Sequence, residues 1–406
     1  MKNEATLLFV RHHREDDVRR LAFAGDKHPD VDLTWALDQI SGWQTARHKL
    51  PSWAACEGVV YPPHLNMEQC SSEFTGRYKA DLAARLVGGH NKCDCRLVDL
   101  TGGFGVDFSL MACVFTAATY VERNEALCRI ARHNFPLLGL PQAEVVCGDG
   151  TQYLQSMPPV PSLMPSESRT LIYLDPARRD NHGRKVFGME DCTPDVVTLG
   201  DALLQRADVV MVKLSPMLDW HDAVRKLPCV TEVHIVSVAN ECKELLLVMT
   251  CEERPLRVVC VNDQQVFSYL AEGVTSAASQ SLPVRPDVLL VPNSSVMKAG
   301  CFRELEMVFG VPQIGADAHL FVADAPVADF PGRQFRILST TSMNKRELRE
   351  AFQGVGQANI AVRHFPLTAD ALRRRLKLKD GGRLYVFATT VGKEHRLFLT
   401  EKISSC

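Results

Sequence analysis

The sequence predicts an α/β protein: a mostly parallel sheet covered by helices on both faces, a helical region before it and a smaller α/β module after it. Three observations carry this prediction. From Arg96 to about Thr250, short apolar runs alternate with amphipathic stretches, the pattern of strand–helix–strand units. That series closes on two runs too close together for a helical crossover. From Gln334 a second, shorter alternation begins. A chain of 406 residues has length for two or three domains. The expected segments are 1–90, 91–250, 251–330 and 331–406.

Residues 1–90 read as mostly helical. Asp32–Ile40 offers Leu33, Ala36, Leu37 and Ile40 on one face, and Ser72–Val87 offers Phe74, Tyr78, Leu82 and Leu86. Trp43 and Trp53 read as packing anchors. Strands follow at Arg96–Leu100, Ala118–Glu122, Ala143–Cys147, Thr170–Asp175 and Val209–Leu214. The intervening helices are expected at Val106–Phe115, Asn124–Leu138, Gly150–Gln155 and Val196–Gln205, with another at Trp220–Leu227. The final runs, Glu232–Val238 and Glu244–Thr250, are separated by "ANECK", so they should form an antiparallel hairpin at the sheet edge. The segment 251–330 is less periodic. Beyond it, strands are expected at Phe335–Leu338, Ile360–Phe365, Leu384–Thr390 and His395–Thr400, with helices at Asn344–Phe352 and Ala369–Leu376.

Composition narrows the class. No apolar run reaches the roughly 18 residues of a membrane helix, and Ala5–Val10 is too short for a signal-peptide core. A cytoplasmic protein is expected. The 14 cysteines contain no CxxC pair, which argues against a zinc site or a disulfide framework. The net charge of −2 hides an asymmetry: residues 331–406 hold 15 Lys and Arg against 6 Asp and Glu, or +9, and the remainder carries −11. A basic module on an acidic body suggests a polyanionic partner.

The stretch "VDLTGGFGVD" (Val98–Asp107) is a strand that ends on an acid and breaks into glycines. It lacks the lysine of a GxxxxGK[ST] phosphate loop and does not match GxGxxG. Asp99 beside a pyrophosphate would be repulsive; beside a cationic sulfonium compound with a free amino group it is favourable. Gly102, Gly103 and Gly105, in the loop that Thr101 opens, would let the backbone approach such a ligand closely. Glu122 closes the next strand, suited to accept from ribose hydroxyls, and Asp149 follows the third, suited to an adenine amino group. Three acids at successive strand ends share one crevice at the carboxyl edge of the sheet. An NAD-type site would keep Asp99 and Glu122 but explains neither "GDG" nor the closing hairpin.

On these residues the sequence resembles the class I S-adenosylmethionine-dependent methyltransferases over roughly residues 70–250. The resemblance implies a Rossmann-like, seven-stranded methyltransferase sheet. It implies that Asp99 and the glycine loop hold the methionine part of S-adenosylmethionine, Glu122 the ribose and Asp149 the adenine. It also implies that the end of the fourth strand, "LIYLDPARRD", faces the methyl group. Enzymes of this type acting on base amino groups commonly carry Asn or Asp, two prolines and an aromatic. Asp175 and Pro176 fit that pattern, while Ala177 and Arg178 depart from it and remove the stacking platform for a flipped base. Asp175 is expected to orient an attacking nitrogen and accept its proton, with Pro176 and Arg178 beside it. Cys192, in "MEDCTPD", is the nearest candidate for a cysteine nucleophile. Arg178, Arg179, Arg184 and Lys185 make the following loop basic, and Lys213 on the fifth strand points to the same edge. They are expected to clamp a phosphate backbone, the alternative being that the arginines pair with Asp180, Glu190 or Asp191.

The tail "IAVRHFPLTADALRRRLKLKDGGRLYVFATT" resembles the THUMP-like module behind uncharacterised bacterial methyltransferases, which share "DPARRD", "KLSPM" and "NECKE" with this chain. A ferredoxin-like segment typically lies between the two parts, here near 271–325. Because the THUMP domain binds RNA, the resemblance implies an RNA substrate, tRNA or rRNA. Arg373, Arg374, Arg375, Lys377 and Lys379 cluster on a short helix and its exit, a pattern suited to phosphates. Three functions stay open: an RNA methyltransferase, a methyltransferase of DNA or a small molecule, and a non-catalytic RNA-binding protein that keeps the cofactor fold. No metal and no membrane partner are expected, and the sequence does not give the oligomeric state.

Overall fold

Strands buried on both faces must be apolar throughout, and the central strands here are: Leu97 and Val98 are fully buried, as are Leu171, Ile172 and Leu174. The computed structural model describes residues 2–23, 28–88, 95–160, 169–178, 189–271, 286–315 and 317–403. The chain divides into two compact units, Met1–Thr231 with Leu246–Glu253, and Glu232–Leu245 with Arg254–Cys406.

The first unit opens with helices α1 (Glu4–His13), α2 (Val18–Ala22), α3 (Leu33–Lys49), α4 (Pro51–Ala55), α5 (His64–Gln69) and α6 (Glu73–Val87). Asp32 caps α3, accepting from the Trp35 N–H at 3.2 Å, and the helix runs on to Lys49, well past Ile40. Ser72 caps α6, and Gly88 closes it in the left-handed conformation at φ 107°. The buried stripe of α6 differs from the expected one. It runs through Thr75, Gly76, Lys79, Leu82 and Ala83, while Phe74, Tyr78 and Leu86 are only half-buried. A Cβ on Gly76 would sit 2.5 Å from Leu110, so its absence permits the close approach of the next helix. Trp53 is buried, and the Trp43 indole N–H donates to the Ala54 carbonyl.

The alternation follows as expected: β1 (Arg96–Asp99), α7 (Val106–Ala112), β2 (Ala117–Glu122), α8 (Glu125–Leu137), β3 (Ala143–Cys147), α9 (Gly150–Ser156) and β4 (Thr170–Leu174). A two-residue pair missing from the sequence expectation comes next, β5 (Ala177–Arg178) against β6 (Cys192–Thr193), antiparallel. Then come α10 (Val196–Leu204), β7 (Val209–Leu214), α11 (Trp220–Lys226), β8 (Val230–Val238) and β9 (Glu241–Met249). Within this unit the strand order is β3-β2-β1-β4-β7, followed by β9, whose residues 246–249 belong here. The pairs β1/β2, β1/β4, β2/β3 and β4/β7 are all parallel. The chain order reverses between β1 and β4, so the carboxyl ends of these two strands flank the crevice in which open α/β sheets bind ligands.

In the second unit, residues of β8 and β9 are joined by a turn of only two residues, Ala239 and Asn240, at φ 50° and 62°. Two left-handed residues make the tight hairpin turn, so "ECK" belongs to β9 rather than to the loop. This hairpin is not a sheet edge. β10 (Arg257–Asn262) pairs parallel with β8, and β11 (Gln265–Leu270) pairs antiparallel with β10. The weakly periodic stretch after residue 250 therefore supplies two further strands. A second sheet has the order β13-β12-β14-β17-β16-β15. Its strands and helices are β12 (Val288–Pro292), α12 (Ser294–Ala299), α13 (Phe302–Phe309), β13 (Phe321–Ala323), β14 (Gly332–Ser342), α14 (Lys345–Ala351), β15 (Asn359–Arg363), α15 (Ala369–Leu376), β16 (Leu384–Val391) and β17 (Glu394–Lys402). Leu289, Leu320, Phe335, Phe387 and Phe398 form one of its cores. Among the described residues no helix is long and apolar enough to cross a membrane.

Candidate active site

The carboxyl ends of β1, β2, β3, β4 and β7 surround a cavity of about 830 Å³. Each strand contributes from its end or the loop beyond it: Asp99, Glu122, Asp149, Asp175 and Lys213 all line the cavity, together with Thr101, Gly102, Gly103 and Gly105. The structure thus brings the expected acids and the glycine loop to one place. Among the described residues no group of three or more His, Cys, Asp or Glu is placed to hold a metal ion.

The loop after β1 is held by its own polar groups. Asp99 Oδ1 accepts from the Thr101 N–H at 2.9 Å and from the Thr101 hydroxyl at 3.3 Å. The Thr101 hydroxyl in turn accepts from the Asp175 N–H at 2.6 Å, joining the ends of β1 and β4. Glu122 accepts from the Gly103 N–H at 2.9 Å and the Asn124 N–H at 2.7 Å, and Tyr120 OH donates to the Gly103 carbonyl. Gly102 has a packing reason as well as a ligand one: a Cβ there would lie 2.2 Å from the Tyr120 ring.

Asp99 is buried, and no cationic side chain pairs with it among the described residues. Burial, then the neighbouring carboxylates of Asp107 and Asp175, push its carboxyl up to about 8 against the pull of the Thr101 bonds. A buried carboxyl group facing a cavity without a protein cation suits a cationic ligand. Asp149 caps α9, accepting from the Thr151 and Gln152 N–H groups at 2.8 and 3.2 Å. The Thr151 hydroxyl bond and these N–H groups hold its carboxyl below the usual range.

A buried charge chain lies behind Asp175, and sequence reasoning misses most of it. Lys213 Nζ is 2.5 Å from Asp175 Oδ2 and 3.8 Å from Asp107 Oδ2. Asp107 Oδ2 also accepts from Ser71 Oγ and Tyr173 OH, both at 2.8 Å. Lys79 Nζ, fully buried, stands 3.1 Å from Asp107 Oδ1 and donates to Ser71 Oγ at 3.2 Å. Burial works against the Asp107 charge, but the two lysines and the two hydroxyl donors outweigh it and hold the carboxyl low. Lys213 is therefore engaged by two carboxylates in place of the phosphate expected of it. One signal is present in the sequence: Lys79 follows Thr75 by four residues and precedes Leu82 by three, so it sits on the buried stripe of α6.

Pro176 is buried, and Arg178 lies in β5. Arg179, Arg184 and Lys185 lie outside the described residues. Cys192 is buried in β6, and it is not among the residues lining the cavity. In the second unit, Arg374, Arg375, Lys377 and Lys379 are exposed at α15 and its exit. Arg373 differs: it bonds Asp370 at 2.7 Å and Asp380 at 2.6 Å. Adjacency in the sequence groups it with its neighbours, but its guanidinium ties the two ends of the helix.

Comparison with known proteins agrees with this architecture. Residues 332–402 match the family model of the THUMP domain-like family, and residues 289–331 match that of a ferredoxin-like domain. Two strains of Mycobacterium tuberculosis each carry a relative named an uncharacterised S-adenosylmethionine-dependent methyltransferase. Each is 26% identical over 380 residues, covering 91% of this chain and 94% of the relative. A solved structure from Porphyromonas gingivalis W83, provisionally named a methyltransferase, superposes with a TM-score of 0.84. It is 28% identical and covers 99% of this chain and 98% of its own. Over nearly its whole length the chain is thus similar to proteins named S-adenosylmethionine-dependent methyltransferases, and its C-terminal part matches ferredoxin-like and THUMP-like family models.

Proposed function

We propose that the chain transfers the methyl group of S-adenosylmethionine to a base nitrogen in structured RNA, tRNA or rRNA. The observation that carries this is the single cavity in which Asp99, Glu122 and Asp149 meet the Asp175 strand end. Asp99, buried without a protein cation, fits the cationic end of the cofactor. Glu122 keeps acceptor capacity beyond its two backbone bonds and fits the ribose hydroxyls. Asp149 fits the adenine amino group through the part of its carboxylate that α9 does not use. The basic α15 region and the THUMP-like match favour RNA over DNA or a small molecule.

When bound, S-adenosylmethionine supplies a methyl group on a sulfonium sulfur that departs as a neutral thioether. The chain's own residues do the rest. The Thr101 hydroxyl and Lys213 fix the backbone and carboxylate of Asp175. That carboxylate accepts a hydrogen bond from the attacking amine and so aims its lone pair. As the nitrogen–carbon bond forms, the nitrogen becomes positive, and Asp175 takes the proton it sheds. Lys213 stays paired throughout and keeps Asp175 from swinging away.

The test uses the purified full chain, radiolabelled S-adenosylmethionine and total RNA from a strain lacking the gene. Label should enter RNA, and Asp175→Ala should lose turnover by about a hundredfold or more while cofactor affinity measured by calorimetry holds. Cofactor binding with labelling of DNA only, or an active Asp175→Ala enzyme, refutes the proposal.

A further inference from the structure

One wall of the cavity takes no part in the chemistry above. Asn66 and Gln69 lie three residues apart on α5, the spacing that sets two side chains on one helix face. Both line the cavity together with Asp175, Ala177, Thr193 and Lys213. Asn66 is half-buried and Gln69 exposed, and among the described residues neither carboxamide has a hydrogen-bond partner.

Short helices on a surface fray, yet this one is anchored at its middle. Met67 is fully buried in a cluster with Trp53, Tyr61, Phe104 and Val106, so α5 is packed on the glycine loop and the start of α7. Lys49 Nζ donates to the carbonyls of Met67 and Glu68 at 2.8 and 2.7 Å. Two residues after Gln69, Ser71 bonds Asp107, the carboxylate that also holds Lys213. The two carboxamides are thereby held in fixed relation to the Asp175 strand end.

Charge and hydrogen-bonding capacity say what they would hold. Lys213 is already paired with two carboxylates, so this part of the cavity does not call for a phosphate. A carboxamide offers a donor and an acceptor side by side. That pair complements a base edge on which an amino donor adjoins a ring-nitrogen acceptor, as in adenine and cytosine. The amine of such an edge is the group Asp175 can orient. The cavity lies near the upper end of the roughly 300–1,000 Å³ range of small-molecule sites, which leaves space beside a cofactor.

We infer that Asn66 and Gln69 of the N-terminal helical region hold the amino-bearing edge of an adenine or cytosine turned into the cavity with its exocyclic amine at Asp175. The inference rests on the RNA methyl-transfer function proposed above and adds its substrate class and specificity residues.

The experiment compares the parent with Asn66→Leu and Gln69→Met in labelling total RNA from the deletion strain, with mass spectrometry of the digested nucleosides. The parent should yield a nucleoside methylated on an exocyclic amine, N6-methyladenosine for adenine or N4-methylcytidine for cytosine. Each substitution should lower kcat/KM by about tenfold, the size of one hydrogen-bonded base recognition. The dissociation constant for S-adenosylmethionine should stay within about twofold, since neither carboxamide is among the groups assigned to the cofactor. Should the apolar variants fold poorly, Asn66→Asp and Gln69→Glu keep the size and remove the donor, and the same loss is expected. Variants as active as the parent, or a product methylated on a ring nitrogen or on guanine, overturn the inference while leaving base-nitrogen methylation of RNA standing, whereas a product methylated on a ring carbon or a ribose oxygen removes both. A parent that binds cofactor yet labels no RNA removes both.

Discussion

Asp99 and Asp107 are both buried carboxyl groups within ten residues of each other, and their partners set them to opposite tasks. Asp107 faces Lys79 and Lys213 and stays ionised. Asp99 has only the Thr101 donors, and burial lifts it to about 8. In the unfolded chain an aspartate ionises near 3.9. The folded state therefore holds one proton more between about pH 4 and 8, and stability falls with rising pH across that window. Asp99→Asn removes this loss and keeps the Thr101 acceptor, so the variant should melt above the parent by a margin that widens from pH 4 to 8 and is constant above. A bound cation reverses the balance by favouring the carboxylate. S-adenosylmethionine affinity should then rise by up to about tenfold per pH unit from pH 6 towards 8, with a proton released that calorimetry in two buffers detects. Asp99→Asn should bind more weakly and lack that slope. The acids at the strand ends are legible because a carboxylate after an apolar run is visible in the sequence. The task of Asp107 is not, because it depends on a lysine from another helix.

Between elements, the decisive contact joins α6 to α7. Lys79 and Asp107 meet where Gly76 lets the two helices approach. A fully buried ammonium without its carboxylate is costly, so Asp107→Ala should destabilise the fold by about 3–5 kcal/mol in urea unfolding. The pair Lys79→Met with Asp107→Leu, which removes both charges, should cost much less. If the single and double variants are equally unstable, the pair is not coupled as the distance implies. The positions of strands and helices in the central series are readable from alternation alone. The faces they bury are less so, because large side chains dominate an apolar pattern: Phe74 and Tyr78 pull the expected stripe of α6 away from Thr75, Gly76 and Lys79. The β8–β9 turn is misread for a related reason. Polar "ECK" resembles a loop, but two left-handed residues already close the hairpin, and its polar residues lie at the strand end.

Over the whole molecule, charge is divided unevenly: +9 in residues 331–406 against −11 elsewhere. For the RNA substrate proposed above, an acidic body is repulsive, so the proposal places docking on the basic module, where salt dependence would count the phosphates neutralised. The structure refines which residues do this. Arg373 is committed to Asp370 and Asp380, with its side chain only 21% exposed, whereas Arg374 and Arg375 are exposed. Arg374→Ala with Arg375→Ala should weaken RNA binding and flatten the log–log salt slope by about 0.7–0.9 for each phosphate no longer neutralised. Arg373→Ala should act differently, lowering the melting temperature of the module by releasing both ends of α15 and changing the slope little. Filter binding at several salt concentrations, paired with thermal melts, separates the two behaviours. S-adenosylmethionine affinity should be unchanged in every case, because the described residues that line the cavity all fall within 66–213. A double variant with the parent's slope would move the RNA-docking surface away from α15, and a slope change in Arg373→Ala without loss of stability would show that its two carboxylates yield to phosphate.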